Sequence, residues 1–382
     1  MTSIVFLVQI EFYEGIRPSE RFQTASRTTT IIHPTMNRII PYLPGFAAAL
    51  TGALLANLLN LPIPWLLGSL LACAALSVGG VNIRAVPFGR KIGLCIIGMS
   101  LGLYFTPQMA GMIGANALWL GAGMLFALVL SLCGTLLLYR FAGVDFKTAW
   151  FAAAVGGASE MANLAEQHGA RVDKVVAAHS LRVLMIVTIV PFFYRFMDYH
   201  GLDTAVIDKG GVHYGGLLLL VACCAGTGWL FQKRGWANPW TFGPLAAAVL
   251  LTVSGVHLSA IPKELSWVGQ LLIGWSLGTK FRPDFFRAAP RLLSVTAVIV
   301  CISLLLTAAV SQLLAAWSDI PLPTLGLGLA PGGVAEMTIT AKVLQLGVPL
   351  VTAFHVLRML VVVGLAGWLY GVLERRFGVG KL

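Results

Sequence analysis

Two motifs within residues 156–182 of this chain recur at 332–358. Gly156-Gly157-Ala158-Ser159-Glu160-Met161 returns as Gly332-Gly333-Val334-Ala335-Glu336-Met337, and His179-Ser180-Leu181-Arg182 returns as His355-Val356-Leu357-Arg358, both at an offset of 176 residues. The repeat extends upstream. Ile97-Gly98-Met99-Ser100-Leu101-Gly102 matches Ile273-Gly274-Trp275-Ser276-Leu277-Gly278, and Pro64-Trp65-Leu66-Leu67-Gly68 matches Pro239-Trp240-Thr241-Phe242-Gly243 with one residue of slippage. A period this long is a domain duplication, since solenoid repeats run to about 20–50 residues. The chain must fold as two copies of one plan.

The solvent of that plan is lipid. Hydrophobic residues make up 58% and charged residues 11% of the 382, with mean hydropathy +0.85, where a soluble domain carries about 25% charge. Apolar runs at 42–60, 62–81, 113–139, 175–194, 214–231, 291–317 and 349–372 are each long enough to cross a hydrocarbon core. The net charge of +11 is not gathered into a basic face with interleaved aromatics, so it does not point to nucleic acid; positive loops on the cytoplasmic side account for it. All six cysteines, at 73, 95, 133, 223, 224 and 301, lie in apolar runs and read as small hydrophobes rather than as disulfides or a zinc site.

Equivalent loops of the two copies carry opposite loads of Lys and Arg. Arg84, Arg90 and Lys91 stand against Lys263 alone; Arg140 and Lys147 stand against a loop at 317–323 with no base; the loop at 106–112 has none, against Lys280, Arg282, Arg287 and Arg291. This is the pattern of two inverted copies. An inverted pair needs an odd number of crossings per copy, and each copy shows six apolar segments, so one segment per copy must not cross. Segments 148–168 and 324–345, which hold the Gly-Gly pairs, are the broken or re-entrant ones. The predicted fold is an all-α polytopic membrane protein of two inverted repeats, about ten full transmembrane helices plus two broken or re-entrant segments, with both termini cytoplasmic. The first repeat covers 39–205, the second 206–376, and 377–382 form a cytoplasmic tail. Residues 1–38, mixed in charge and lacking a signal-peptide pattern, read as a disordered extension or an over-long start ahead of Met36.

Broken helices at matching places of inverted halves mark a midplane binding site in secondary transporters. Gly156-Gly157 and Gly332-Gly333 permit backbone that a helix does not hold and open half-helix N-termini that favour an anion. Ser159 lies in the first such turn. Glu160 and Glu336, one turn on, supply carboxylates for a proton or cation. A charge in such a segment costs roughly 2.5–3.5 kcal/mol, so each needs a reason. His179 with Arg182, and His355 with Arg358, share a helix face at i, i+3; the arginines stay charged and call for a carboxylate, carbonyls or an anionic ligand, while the histidines are candidate proton carriers. The competing structural reading pairs each Glu with an Arg merely to hold the fold. The Gly98/Gly102 and Gly274/Gly278 pairs read as helix contacts, Trp65 and Trp240 as interface anchors, and Glu166, His168, Arg171, Asp173 and Lys174 as a wet loop.

The duplicated Gly-x-x-Glu-Met and His-x-x-Arg pattern, with its Pro-Trp-x-x-Gly segments, resembles the bacterial AbrB-type membrane protein family over about residues 42–375. That family is distinct from the soluble DNA-binding regulator of the same name. The resemblance implies an inner-membrane, multi-spanning protein, and members carry labels from ammonia monooxygenase to regulator of gene expression. The residues favour a proton- or sodium-coupled secondary transporter of a small organic, anionic solute. The alternative is a membrane regulator acting on gene expression indirectly. A monooxygenase is disfavoured because only two of the seven histidines lie deep in apolar runs, which scatters any metal site. The expectation is of no cofactor, no metal and no enzymatic activity; of lipid and solute as partners, without nucleic acid; and of a chain compatible with homo-oligomers.

Overall fold

The computed structural model describes residues 40–199, 201, 211–236, 238–281, 283 and 289–377. The predicted extension at 1–38, the repeat boundary at 205–206, Arg282, Arg287 and the tail beyond 377 lie outside them. Every regular element among the described residues is helical. The first copy holds α1 (Leu43–Leu58), α2 (Pro64–Val78), α3 (Gly89–Gly102), α4 (Pro107–Ala115), α5 (Ala117–Phe141), α6 (Phe146–Ala153), α7 (Ala158–Gln167) and α8 (Val172–Phe196). The second holds α9 (Tyr214–Lys233), α10 (Pro239–Val253), α11 (Lys263–Gly278), α12 (Pro290–Ala315), α13 (Leu322–Leu329), α14 (Val334–Leu344) and α15 (Val348–Phe377). Apart from α4, whose equivalent positions include residues outside the described ones, the elements of the second copy follow the order of the first.

Five helices, α5, α8, α9, α12 and α15, are long and apolar enough to span a membrane; a sixth span arises if α3 and α4, bent by 85° at residues 103–106, count as one. Helices α1, α2 and α10 are apolar but shorter. The long helices are built inside-out. On α5 the buried stripe is rich in small residues, Gly123, Ala127 and Gly134, whereas Leu118, Leu125, Val129, Leu132 and Leu136 point outward. Small residues let membrane helices approach while large aliphatic ones face lipid. The chain is an integral membrane protein.

Local starts follow the proline and capping signals. Pro64 and Pro239 open α2 and α10, and the residue before each, Ile63 and Asn238, is left-handed at φ 49° and 43°. For a β-branched residue such as Ile63 this conformation is costly, and its recurrence shows that the second copy inherited a backbone as well as a sequence. Asp145 caps α6, accepting from the Thr148 N–H at 3.2 Å and from its hydroxyl at 2.7 Å.

The helices sort by position within a copy rather than by copy. In one bundle α1, α2 and α3 pack with α9, α10 and α11; in the other α5 to α8 pack with α12 to α15. The glycine pairs are the seams of the first bundle. A Cβ on Gly98 would meet the Thr241 carbonyl oxygen at 2.6 Å and one on Gly102 the Leu245 oxygen at 2.8 Å, both on α10; reciprocally, Gly274 and Gly278 of α11 press on Leu66 and Leu70 of α2. The two halves of the chain do not form separate bodies. The packing instead mixes both halves in each bundle. Trp65 stacks on Trp267 at 5.3 Å and Trp240 donates to Gln232. Of the cysteines, only Cys73, Cys95 and Cys224 are buried; Cys133, Cys223 and Cys301 lie on the outer surface. His168 is not in a wet loop: its ring packs 5.2 Å from Phe151 and 5.1 Å from Tyr370.

Candidate functional site

Each Gly-Gly pair sits in a four-residue break between two half-helices, residues 154–157 between α6 and α7 and residues 330–333 between α13 and α14. At 1.5 Å per residue these half-helices are about 12–17 Å long, each short of the ~30 Å hydrocarbon core. The first half-helix ends in orphan carbonyls and the second begins in orphan N–H groups.

The His-x-x-Arg helices answer the carbonyls. Arg182 donates from Nη1 to the oxygen of Ala154 at 2.9 Å and from Nη2 to that of Gly156 at 3.1 Å; Arg358 donates to Ala330 and Gly332, the residues 176 positions on. His179 Nε2 meets the Phe151 oxygen at 2.8 Å, and His355 Nε2 meets the Leu327 oxygen at 2.9 Å. A carbonyl requires an N–H at Nε2, which leaves the Nδ1 lone pair of His179 to accept from Nη2 of Arg182 at 2.8 Å. The Glu–Arg pairing considered above is therefore not what forms: the arginines fasten the C-terminal ends of α6 and α13, where a cation complements the helix dipole.

The glycines serve a different purpose from the one their type suggested. None of the four has a positive φ, and the second of each pair is ordinary extended backbone, Gly157 at −69°/139° and Gly333 at −75°/155°. What they provide is room. A Cβ on Gly157 would collide with Oε2 of Glu160, and one on Gly333 with Oε2 of Glu336; a Cβ on Gly156 would stand 2.9 Å from Cε of Met161, and one on Gly332 2.6 Å from Cγ of Met337. The motif Gly-Gly-x-x-Glu-Met is thus a self-fitting unit: the first glycine admits the methionine and the second admits the carboxylate, folded back over the helix start.

Both breaks open on one cleft at the junction of the two bundles. Gly156, Gly157, His179, Arg182, Gly332, Gly333, Glu336 and Arg358 line it. Three of the predicted site residues do not. Ser159 is exposed away from it, and His355 is fully buried behind it. Glu160 stands one contact off, its Oε1 accepting from the backbone N–H of Asn238 at 3.1 Å; Asn238 itself lines the cleft. Glu160 Oε2 is buried without a hydrogen-bond partner.

Sequence reasoning missed two cations. Arg90, in the first turn of α3, and Lys280, just past α11, were counted as loop charges, yet both line the cleft. Nη1 of Arg90 is buried and unpartnered among the described residues, and Lys280 lies within electrostatic reach of Arg90 and Glu336. For Arg90 the signal was helical phase: it shares the inward face of α3 with Leu94, another lining residue.

Two curated relatives align with most of the chain. “Uncharacterized protein YhjN” of Bacillus subtilis (strain 168) is 25% identical over 369 residues, spanning 88% of this chain and 94% of its own length. “Putative regulator AbrB” of Escherichia coli (strain K12) is 24% identical over 305 residues, 78% of this chain and 87% of its own. Residues 65–374, which carry both breaks, both His-x-x-Arg helices and the cleft, match the family described as “Transition state regulatory protein AbrB”, and the chain belongs to that family.

Proposed function

We propose that this protein is a secondary transporter of a small organic anion, coupled to protons or sodium, in the bacterial inner membrane. The observation that carries the reading is the shared cleft: two broken helices, one from each copy, meet there with carbonyl-anchored arginines beside half-helix N-termini. N-terminal N–H groups and fixed guanidiniums both favour an anion, and discontinuous helices at a repeat junction are the usual seat of transported solute. Glu336 faces the cleft and Glu160 keeps one buried oxygen unpaired, so each offers a place for a proton or cation.

Inverted copies, ten crossings, two broken segments and cytoplasmic termini complete the proposal. The reciprocal packing of α2 on α11 and α10 on α3 supports the two-fold relation between copies. Movement of one bundle against the other, rather than of one half of the chain against the other, would alternate access to the cleft. No catalytic residue or cofactor enters this reading.

The test is flux of labelled metabolites in proteoliposomes under imposed proton and sodium gradients, for wild type and for Glu160→Gln with Glu336→Gln. The expected result is gradient-driven flux that the double variant loses while remaining folded. Absence of flux for every compound would defeat the reading. A second reading is favoured by the regulator name of the Escherichia coli relative: a solute sensor would bind in the same cleft and show saturable binding without flux.

A further inference from the structure

The cations of the cleft come from both bundles. Arg90 and Lys280 belong to the bundle of α1–α3 and α9–α11; Arg182 and Arg358 belong to the other. The second pair is committed to carbonyls, though each arginine keeps a buried Nε–H without a partner. Arg90 and Lys280 have no such anchor: Nη1 of Arg90 is unpartnered, and Lys280 is exposed at the mouth. Arg182 and Arg358 feel one another's charge, as do Arg90 and Lys280. Against these four stands Glu336, the one carboxylate among the described lining residues.

The cations of the cleft repel one another across the bundle junction. A single negative charge next to either pair leaves the other pair uncompensated; with Glu336 counted, a bound monoanion leaves a larger excess of positive charge than a dianion does, and the carboxylate of Glu160, one contact behind the lining, faces what then remains. We infer that the cleft is built for a small organic solute with two negative charges, bridged between Arg90 and Lys280 on one bundle and the Arg182–Arg358 face on the other. This rests on the cleft being the solute site. It makes Arg90 and Lys280 the residues that set charge specificity, because the anchored arginines would be needed to hold the breaks whatever the solute. A dicarboxylate spreads its charge over two groups and a phosphate monoester holds it on one; both meet the requirement.

Thermal unfolding of the purified, detergent-solubilised full chain tests this with three probes at matched ionic strength: succinate, glycerol 3-phosphate and butyrate. At about 10 mM, binding to the native state raises the midpoint by mass action. The expected result is stabilisation by succinate or glycerol 3-phosphate and none by butyrate, with succinate alone pointing to separated charges and glycerol 3-phosphate alone to one compact group. Arg90→Gln and Lys280→Gln should each weaken the dianion about tenfold, the loss of one charge-assisted contact, and Arg90→Lys should retain most of the effect. Equal stabilisation by butyrate, no stabilisation by either dianion, or folded variants that bind as wild type would each overturn the inference. Should a variant fail to fold, the comparison of succinate with butyrate on wild type still decides. Dianion binding without flux would remove the transporter reading and leave this one standing; flux of a monoanion would do the reverse.

Discussion

The two breaks carry the same fastening and differ in what lies behind it. In the first, the N–H of Val155 donates to Ser131 Oγ of α5 at 3.0 Å, and Ser131 donates on to the Ala127 oxygen at 2.8 Å. In the second, Val155 is replaced by Pro331 and Ser131 by Thr307, each 176 residues on. Proline has no N–H to give, and Thr307 Oγ1 is left buried without a partner. The carboxylates diverge as well: Glu160 is tied to the Asn238 N–H across the bundle junction, whereas Glu336 faces the cleft near Lys280. Duplication thus preserved the clamp that makes a break tolerable in lipid and released the side contacts, giving one break pinned to its scaffold as well and one held by its His–Arg clamp without that added bond.

Removing the clamps should break the comparison most severely. Each buried carbonyl left unpaired costs about 1–3 kcal/mol, so Arg182→Gln and Arg358→Gln both destabilise, and Arg358→Gln more so, because Arg358 is 5% exposed and Arg182 is only partly buried. Unfolding midpoints in detergent would show the order, and equal losses would contradict the idea of one less firmly held break. Gly157→Ala and Gly333→Ala come next. Overpacking of this kind costs about 1–3 kcal/mol, and because the collision is with the carboxylate in both copies, the two variants should lose solute binding or flux alike.

The sharper contrast is smaller. Ser131→Ala leaves the buried Val155 N–H unpaired and should cost about 1–3 kcal/mol, while Thr307→Val removes a hydroxyl that already lacks a partner and should be neutral or stabilising. The smallest effect is expected from Pro331→Val, which returns a donor to Thr307. A gain of about 0.5–1.5 kcal/mol from the new bond is offset by about 0.4–1 kcal/mol from the greater freedom of the unfolded chain. Hydrogen exchange at residues 154–157 and 330–333 in these variants would show whether the first break is the better protected, as its extra bond requires.

Reading the chain as a duplication found what both copies share and passed over what one copy holds alone. Glu160 and Glu336, the histidines, the arginines and the glycine pairs are legible because they recur. Arg90 is matched by Ser266, and Lys280 by Tyr104, so neither entered the candidate site, and charge counting assigned both to loops. The glycines were found for the wrong reason: residue type suggested unusual dihedrals, while the need was for space over Glu and Met, a contact visible only once a half-helix start folds its carboxylate backward. The sorting of helices into mixed bundles was not readable either. Hydropathy identifies spanning segments but not their neighbours, since lipid-facing and protein-facing surfaces are both apolar.

The reciprocal glycine seams bear on what one copy alone would lack. Gly98 and Gly102 need α10, and Gly274 and Gly278 need α2; neither copy contains the surface its own glycines were shaped to meet. A single copy taken alone would leave both glycine faces uncovered, so it is the pairing of two copies that closes these seams.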